Sequence, residues 1–198
     1  MIPKMRHSKV SRKTKETEIS LELVLDGSGR SKIKTPINFL NHMLENFVKH
    51  ASFDLTISAK GDVEVEDHHL VEDVGLCLGE ALDKALGDRK GISRMGYAIV
   101  PMDEALATVA VDLGGRPYSV ISIPYSEFAD AKLGDLSKEN IPHFFESFAV
   151  KGRLNLHVKV EGKNDHHKVE ACFKALARSL RDAVSVTGQG IPSTKGSI

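Results

Sequence analysis

One short pattern, D-H-H-x-x-E, occurs twice in the chain and restricts its fold more than any other feature. It begins at Asp67 and again at Asp165, 98 residues later, and each copy precedes a run with helical apolar periodicity. Two solvated helix starts with chance histidines would leave this repetition unexplained. The pattern therefore indicates an internal duplication and a metal-binding function.

The spacing within each copy has a simple helical interpretation. An aspartate before such a run is a natural N-cap, so Asp67 predicts that His68 and His69 open a helix. Glu72 lies four residues after the first histidine and three after the second, and it can therefore stand beside either imidazole. Adjacent histidines diverge by about 100° around the helix axis, which suits ligands of two different metal ions.

Each half offers one more histidine on its preceding predicted helix, which completes a set of six histidines and two glutamates. The set is His42, His68, His69, Glu72, His143, His166, His167 and Glu170. It is large enough for two sites of three His and one Glu, with open positions typical of a catalytic metal. Zn, Fe, Ni and Mn all remain open on ligand type alone. His50 shares a helical stripe with His42 and is either a site residue or a helix C-terminal histidine favoured by the dipole.

The order of apolar patterns predicts an α+β fold. Each half is expected to be strand–strand–helix–strand–helix, with the helices on one face of each sheet. The halves are residues 1–92 and 93–198, packed together as one catalytic unit. We expect the polar, basic residues 1–13 to be mobile, and the Gly61-Asp62 turn to lead into a short strand.

Composition excludes several classes of partner. Lys+Arg and Asp+Glu balance at 27 each, so no overall basic field attracts nucleic acid or an anionic membrane. No apolar run approaches about 18 residues, and the first residues lack a signal-peptide core. Cys77 and Cys172 read as buried thiols, which indicates a reducing cytoplasm. The sequence therefore predicts a cytoplasmic protein without a nucleic-acid or membrane partner.

Local clusters of cations and hydroxyls are the candidates for binding an anion. They are Arg94, Arg116, Ser193, Thr194 and Lys195. Arginine forks and a Ser/Lys pair suit a phosphate monoester, although each residue taken singly is more often an ordinary surface group.

Several motifs, in this order, resemble the imidazoleglycerol-phosphate dehydratase family over nearly the whole chain. They are T-K-E-T-E-I from Thr14, F-L-N-H-M from Phe39, both D-H-H-x-x-E copies, P-M-D-E-A-L from Pro101, G-R-P-Y from Gly115, H-F-F from His143 and P-S-T-K-G from Pro192. The resemblance implies a duplicated fold like domain 2 of ribosomal protein S5. It also implies a homo-oligomer, usually a 24-mer built from trimers, with active sites at subunit contacts and two Mn(II) ions in each.

The resemblance also assigns roles to residues. One metal takes His42, His69, His166 and Glu170. The other takes His68, Glu72, His143 and His167. The positions that match substrate contacts are Glu16, His42, His50, His68, His69, Glu72, Arg94, Arg116, His166, Glu170, Lys174, Ser193, Thr194 and Lys195. Asn41, Asn46 and Gly114 depart from the family's usual Asp, Gln and Ser; Asn46 could alter one substrate contact, and none of the three removes a metal ligand.

The implied reaction is dehydration of D-erythro-imidazole glycerol phosphate to imidazole acetol phosphate in histidine biosynthesis. Our hypothesis is that the metals hold the substrate ring as an imidazolate, which expels hydroxide from the neighbouring carbon to leave a diazafulvene. Glu16 is the candidate base for the following proton removal. The alternative is a dinuclear metal-dependent phosphoesterase, which released inorganic phosphate would identify. A ferritin-like metal store is disfavoured, because strands alternate with the helices.

Overall fold

The computed structural model describes residues 5–126, 130–188 and 190–196, and this part of the chain contains ten strands and four helices. In chain order the elements are β1 (His7–Lys13), β2 (Thr17–Val24), β3 (Ser31–Lys34), α1 (Asn38–Ala51), β4 (Asp54–Gly61), α2 (His68–Leu86), β5 (Met95–Met102), β6 (Ala105–Asp112), β7 (Tyr118–Ser122), β8 (Lys132–Leu133), β9 (Leu136–Ser137), α3 (Asn140–Gly152), β10 (Asn155–Glu161) and α4 (Asp165–Ala183).

The strand order of the two large sheets confirms the duplication. One sheet has the order β1-β2-β4-β3 and the other β5-β6-β10-β7. In each sheet two pairings are antiparallel and the last, β3 with β4 or β7 with β10, is parallel. The two halves thus repeat one topology, and the α+β class is confirmed. The division between residues 92 and 93 stays a prediction.

Strand β1 lies where the sequence predicted a mobile segment, and that prediction is wrong for His7–Lys13. The strand pairs with β2 along its full length. Of its inward side chains only Val10 is an apolar core residue; Ser8 donates to the carbonyl of Ala81 at 2.6 Å, and Arg12 to Asp73 at 2.7 Å. Polar contacts with α2 therefore fill positions that apolar residues usually occupy, and the pattern lacked a strand signal.

The helices pack between the two sheets. Each helix contacts the sheet of its own half and one helix of the other half, α1 with α4 and α2 with α3. The two halves share one hydrophobic core, in which the rings of Phe47 and Phe148 lie 6.5 Å apart at their centroids. Helices therefore cover one face of each sheet, as predicted, and the ends of all four helices are held in a fixed relation. None of the helices in the described residues is both long and apolar enough to cross a membrane.

Two glycines explain how closely α2 and α3 approach. A Cβ atom at Gly79 would lie 2.4 Å from the carbonyl oxygen of Phe148, and one at Gly75 would lie 2.8 Å from that of Phe144. Any side chain there would push the helices apart. The α2–α3 contact thus depends on these two positions, and it fixes His143 of α3 near the start of α2.

The outer faces of the two sheets differ sharply. In the first sheet the row across the paired strands consists of Ser11, Ser20, Ser58 and Lys34. The corresponding central row of the second sheet consists of Tyr97, Ala110, His157 and Val120. Exposed apolar side chains cluster on this second sheet, and we call them the apolar outer face: Met95, Tyr97, Ile99, Leu106, Tyr118 and Val120.

The predicted short strand after the Gly61-Asp62 turn does not form. Residues 63–65 are a turn, and the carboxylate of Asp62 instead lies 3.2 Å from Nδ1 of His69. This segment serves the start of α2 rather than extending the sheet.

Candidate active site

The two D-H-H-x-x-E copies begin α2 and α4, but the two helices are capped differently. Asn164 caps α4, since its side-chain oxygen accepts the backbone N–H groups of His166 and His167 at 2.9 and 3.2 Å. Asp67 stands at the N-cap position of α2 and makes no capping hydrogen bond. Its carboxylate accepts instead from the backbone and hydroxyl of Ser137, both at 2.6 Å. The predicted helix start is confirmed for α2, where Asp67 stands at the N-cap position and His68 opens the helix, but neither motif aspartate caps its helix through the side chain.

Both motif aspartates hold the segment around the β8–β9 hairpin. Asp67 binds Ser137, and the buried Asp165 lies 2.7 Å from Lys138 and 2.6 Å from Lys168. Burial disfavours the charge of Asp165, but the hydrogen bonds from both lysines outweigh it and lower its pKa. One short segment therefore braces the starts of both histidine-bearing helices.

His42, His166 and Glu170 form a compact cluster, which we call the trio. Their ligand atoms lie within 4.8 Å of one another, and among the residues that the structure describes no other group of three or more His, Cys, Asp or Glu is so close. Glu170 Oε2 is 3.2 Å from His42 Nε2 and 3.1 Å from His166 Nε2. Because His42 comes from α1 and the others from α4, the trio joins the two halves.

Glu170 is buried and ionised. Burial alone would raise its pKa, but the Lys174 ammonium 2.7 Å from Oε1 and the two histidines together lower it below its usual range. The carboxylate is thus a ready anionic ligand. His50 lies close enough to be affected by Lys174 and Arg178, and burial first and then these charges lower its pKa, which favours the neutral imidazole.

A second, looser cluster lies at the start of α2. The rings of His68 and His143 are 5.1 Å apart at their centroids, and Glu72 Oε2 is 3.7 Å from His68 Nε2. His68 Nδ1 lies 2.9 Å from Oδ1 of Asn140, which fixes the ring and leaves Nε2 for a ligand role. This cluster also joins the halves, since His143 and Asn140 belong to α3.

The second histidine of each motif points elsewhere. His69 Nδ1 lies 3.2 Å from Asp62, and His167 Nδ1 lies 2.8 Å from Glu104 Oε2. The hydrogen bonds to these carboxylates raise the pKa of both histidines. Within one chain, His69 does not join the trio, and His167 does not join the cluster of His68, Glu72 and His143. The structure therefore brings together three of the four residues assigned to each metal.

Glu16 is exposed in the turn between β1 and β2. Its backbone N–H donates to Thr14 Oγ1 at 3.1 Å, and its charge contributes to the raised pKa of His69. The candidate base therefore lies on the side of His69, apart from the trio of its own chain.

The predicted anion-binding residues line one cleft of about 800 Å³. Its cationic and hydroxyl side chains are Arg94, Arg116, Arg153, Ser193, Thr194 and Lys195. Arg94 is held by Asp112 through Nε at 2.7 Å and Nη2 at 3.0 Å, and its Nη1 donates to the carbonyl of Pro192 at 2.8 Å. The arginine thus ties the C-terminal segment to the end of β6.

Comparisons with known proteins match this geometry to one family. The family model for imidazoleglycerol-phosphate dehydratase matches residues 35–180. The imidazoleglycerol-phosphate dehydratase of Methanothermobacter thermautotrophicus is 56% identical over 194 residues, which are 98% of each chain. That of Methanococcoides burtonii is 53% identical over 97% of this chain and 99% of its own. The chain belongs to the imidazoleglycerol-phosphate dehydratase family.

Solved structures of this family have the same fold. The crystal structure of IGPD from Pyrococcus furiosus is 36% identical and superposes with a TM-score of 0.83 over 96% of this chain and 100% of its own. The Staphylococcus aureus enzyme, also 36% identical, gives 0.81 over 91% of this chain and 99% of its own. The resemblance and the hydro-lyase class inferred from the motifs are confirmed.

Four polar residues near these sites were given no role by the sequence. Asp62, Glu104 and Asn140 hold Nδ1 of His69, His167 and His68, and Arg153 lines the cleft. The P-M-D-E-A-L motif of the dehydratase family contains Glu104, which was the available signal. The other three lie in turns or at helix ends without a distinguishing pattern.

Proposed function

We propose that this chain dehydrates D-erythro-imidazole glycerol phosphate to imidazole acetol phosphate at a di-manganese centre shared between subunits of a homo-oligomer. The observation that carries the proposal is the pair of incomplete clusters. The trio lacks a fourth ligand, as does the cluster of His68, Glu72 and His143. His69 and His167, the residues that would complete them, are oriented by Asp62 and Glu104 but have no place in either cluster of their own chain.

A neighbouring subunit can supply the missing ligands. Because Nδ1 of both His69 and His167 is held by a carboxylate, Nε2 is the nitrogen left for an ion, as in other carboxylate–histidine–metal arrangements. Symmetric oligomers repeat every contact, so one interface that brings His69 to a trio fills all equivalent sites. The apolar outer face supports assembly, since contiguous exposed apolar side chains on a protein surface mark interaction sites. A 24-mer built from trimers is the proposed form.

The donor set fits a divalent transition metal. Three imidazoles and one ionised carboxylate leave open positions, and manganese accepts this combination together with water and substrate. When bound at these residues, manganese would act as a Lewis acid and favour the imidazolate form of the substrate ring. The family as a whole is metal-dependent, and the choice of Mn(II), two per site, follows from the resemblance.

The side chains of the chain itself carry the remaining steps. The cleft with Arg94, Arg116, Ser193 and Lys195 holds the phosphate and so positions the carbon chain. The hydroxyl on the carbon next to the ring leaves, and the Glu16 carboxylate takes the proton from the adjacent carbon. One water is lost, and the resulting enol becomes the ketone. Glu16 reaches the reacting carbon because it accompanies His69 into the neighbour's site.

Other predicted properties accompany this proposal. Cys77 and Cys172 are free and buried, in keeping with a cytoplasmic location. The imidazole phosphate is a small-molecule partner, and the assignments of His50, Lys174 and Thr194 to it rest on the resemblance.

Subunit complementation tests the shared site. His69→Ala and His166→Ala should each lose dehydration of imidazole glycerol phosphate, whereas particles containing both variant chains should regain part of it. An intact trio from one chain then meets an intact His69 from the other. His7→Ala, in an exposed strand position, is the matched histidine control. If the mixed particles stay as inactive as the single variants, the sites are not shared in this way.

The metal is tested on the wild-type protein. Removal of bound metal should abolish dehydration, and restored Mn(II) should recover it. The same assay measures inorganic phosphate. Its release from the substrate, without imidazole acetol phosphate, would support the dinuclear phosphoesterase instead.

A further inference from the structure

The anion cleft contains one more guanidinium than the sequence motifs identified. Arg153 lines it together with Arg94, Arg116 and Lys195. We propose that Arg153 binds the substrate phosphate directly and sets the affinity of this site for a phosphate monoester. The inference rests on the proposed function, because it adds a residue to the same site.

Backbone hydrogen bonds fix Arg153 beside the Gly114-Gly115 turn that precedes Arg116. The buried Arg89 donates from Nη1 to the carbonyl of Arg153 at 3.1 Å and to that of Leu113 at 2.8 Å. Leu113 precedes the Gly114-Gly115 turn that leads into Arg116. One guanidinium thus clamps the end of α3 to this turn, and the base of the Arg153 side chain has little freedom to move away.

Arg153 occupies a backbone position that favours glycine. It caps the C-terminus of α3 in the left-handed region, with φ 50° and ψ 51°. Glycine is the usual residue for such a cap, because it has no Cβ to clash there. Local backbone preference therefore does not explain an arginine at this position. Non-glycine residues in such backbone conformations cluster at ligand-binding sites, which supports a binding role for Arg153.

The guanidinium of Arg153 retains free hydrogen-bonding capacity. Its ion-pair partner Asp83 lies 3.7 Å away, beyond hydrogen-bond length, and the other oxygen of Asp83 is engaged by the buried Arg89. The Arg153 side chain is 53% exposed. Arg94, in contrast, commits three of its five N–H donors to Asp112 and Pro192. Arg94 therefore anchors the cleft and keeps fewer donors for the phosphate than Arg153 does.

The charge balance of the cleft favours a dianion. The charges of Arg94 and Asp112 neutralise each other in an ion pair. Within the described residues, no carboxylate oxygen lies within 4.0 Å of the Arg116 or Lys195 nitrogens, and Arg153 has only its loose contact with Asp83. Arg116, Arg153 and Lys195 thus line the cleft without a hydrogen-bonded counter-charge among the described residues, and a phosphate monoester supplies the compensating charge with oxygens for bidentate arginine contacts.

Phosphate binding and turnover test this assignment together. On the metal-loaded protein, Arg153→Gln should raise both the Kd for inorganic phosphate and the KM for imidazole glycerol phosphate about three- to tenfold, the range for a solvent-accessible charge-assisted contact. The kcat should stay within about twofold. Arg153→Lys should recover part of the phosphate affinity. Lys151→Gln removes an exposed charge from the same helix end outside the cleft and should change neither value.

The outcomes separate this inference from the proposed function. An unchanged phosphate Kd in Arg153→Gln, with an unchanged melting temperature, overturns the inference. Equal weakening by Lys151→Gln also overturns it, because the effect would then come from the overall charge. The phosphate measurement does not need turnover, so a wild-type protein without dehydratase activity refutes the proposed function and leaves the role of Arg153 in anion binding measurable.

Discussion

The turn between β1 and β2 and the turn between β5 and β6 occupy equivalent places in the two halves, but their acidic residues differ. Glu104, in the second half, accepts the backbone N–H groups of Asn164 at 2.6 Å and Lys163 at 3.1 Å, and it holds Nδ1 of His167. The Asn164 contact first, and then His167, lower the pKa of Glu104 to about 2. Glu16, in the first half, is exposed, and in the described residues its carboxylate has no hydrogen bond or ion pair.

The difference shows how a duplicated frame acquires separate roles. Each half must orient the second histidine of its motif. The second half uses its turn acid for this purpose, whereas the first half uses Asp62, which follows β4. Glu16, the acidic residue in the turn of the first half, is therefore not needed to orient a histidine. An unconstrained carboxylate beside a proposed metal ligand is suited to move a proton.

The largest expected effect comes from the free acid. Glu16→Gln should lower kcat about 10²- to 10⁴-fold, the usual contribution of a general base, because the amide cannot accept the substrate proton. Metal content and phosphate affinity should stay as in the wild type. Steady-state kinetics and metal analysis measure both. Glu18→Gln, an exposed neighbour paired with Lys13, is the control and should keep normal turnover. Normal turnover in Glu16→Gln would remove the distinction between the two turns.

Loss of the Glu104 carboxylate, which is hydrogen-bonded to His167, should affect metal binding instead of turnover. Glu104→Gln should weaken manganese affinity about 10- to 100-fold, as is typical when the partner of a ligand histidine is lost, with a similar change for Asp62→Asn. A competition titration with a chelating dye measures this effect. Because the pKa of Glu104 is lowered, its stabilising contact is complete above about pH 4.5 and is lost as the pH falls toward about 2. The titration is made at pH 8, where the carboxylate is fully ionised and protonation of His167, whose pKa this contact raises, competes least with the metal.

A matched acid tests whether position matters. Glu161→Gln removes an exposed carboxylate of β10 that pairs with Lys159 and lies in neither turn. It should leave manganese affinity unchanged. Loss of affinity in this control, or none in Glu104→Gln, would contradict the orienting role.

The two sheets provide the next comparison, which concerns assembly. Tyr97→Asp places a charge on the apolar outer face and should weaken subunit association at least about tenfold, because burial of the charge is costly. Ser20→Asp makes the equivalent change on the polar face of the first sheet and should have no effect. Light scattering after size-exclusion chromatography measures the particle mass. Equal masses for both variants would show that the apolar outer face lies outside the subunit contacts.

The sequence predicted the parts of this molecule that depend on local periodicity. The spacing in D-H-H-x-x-E predicted that adjacent histidines diverge, and His68 and His69 indeed meet different partners, Asn140 of α3 and Asp62 after β4. Prediction from periodicity failed where polar contacts replace an apolar pattern. Strand β1 is the example, because its Ser8 and Arg12 form hydrogen bonds with α2.

Contacts between distant residues could not be predicted either. His167 and Glu104 are 63 residues apart, and the clamp from Arg89 holds Arg153 beside the turn before Arg116. Nothing in the local sequence around these residues encodes their partners. The packing of α1 on α4 and of α2 on α3 creates them.

The smallest expected effect concerns the capping difference between the two motif helices. Asn164→Ala should lower the free energy of unfolding by about 1 kcal/mol, because two backbone N–H groups at the start of α4 lose their acceptor. Glu139→Ala is the matched control, since Glu139 stands at the N-cap position of α3 without a side-chain hydrogen bond, and the change should stay within about 0.5 kcal/mol. Denaturant titration of both variants measures the difference. An unchanged free energy of unfolding in Asn164→Ala would mean that the contacts of Asp165 with Lys138 and Lys168 suffice to hold the start of α4. Both motif helices would then be held at their starts by an aspartate contact and not by a cap, as α2 is by Asp67 and Ser137.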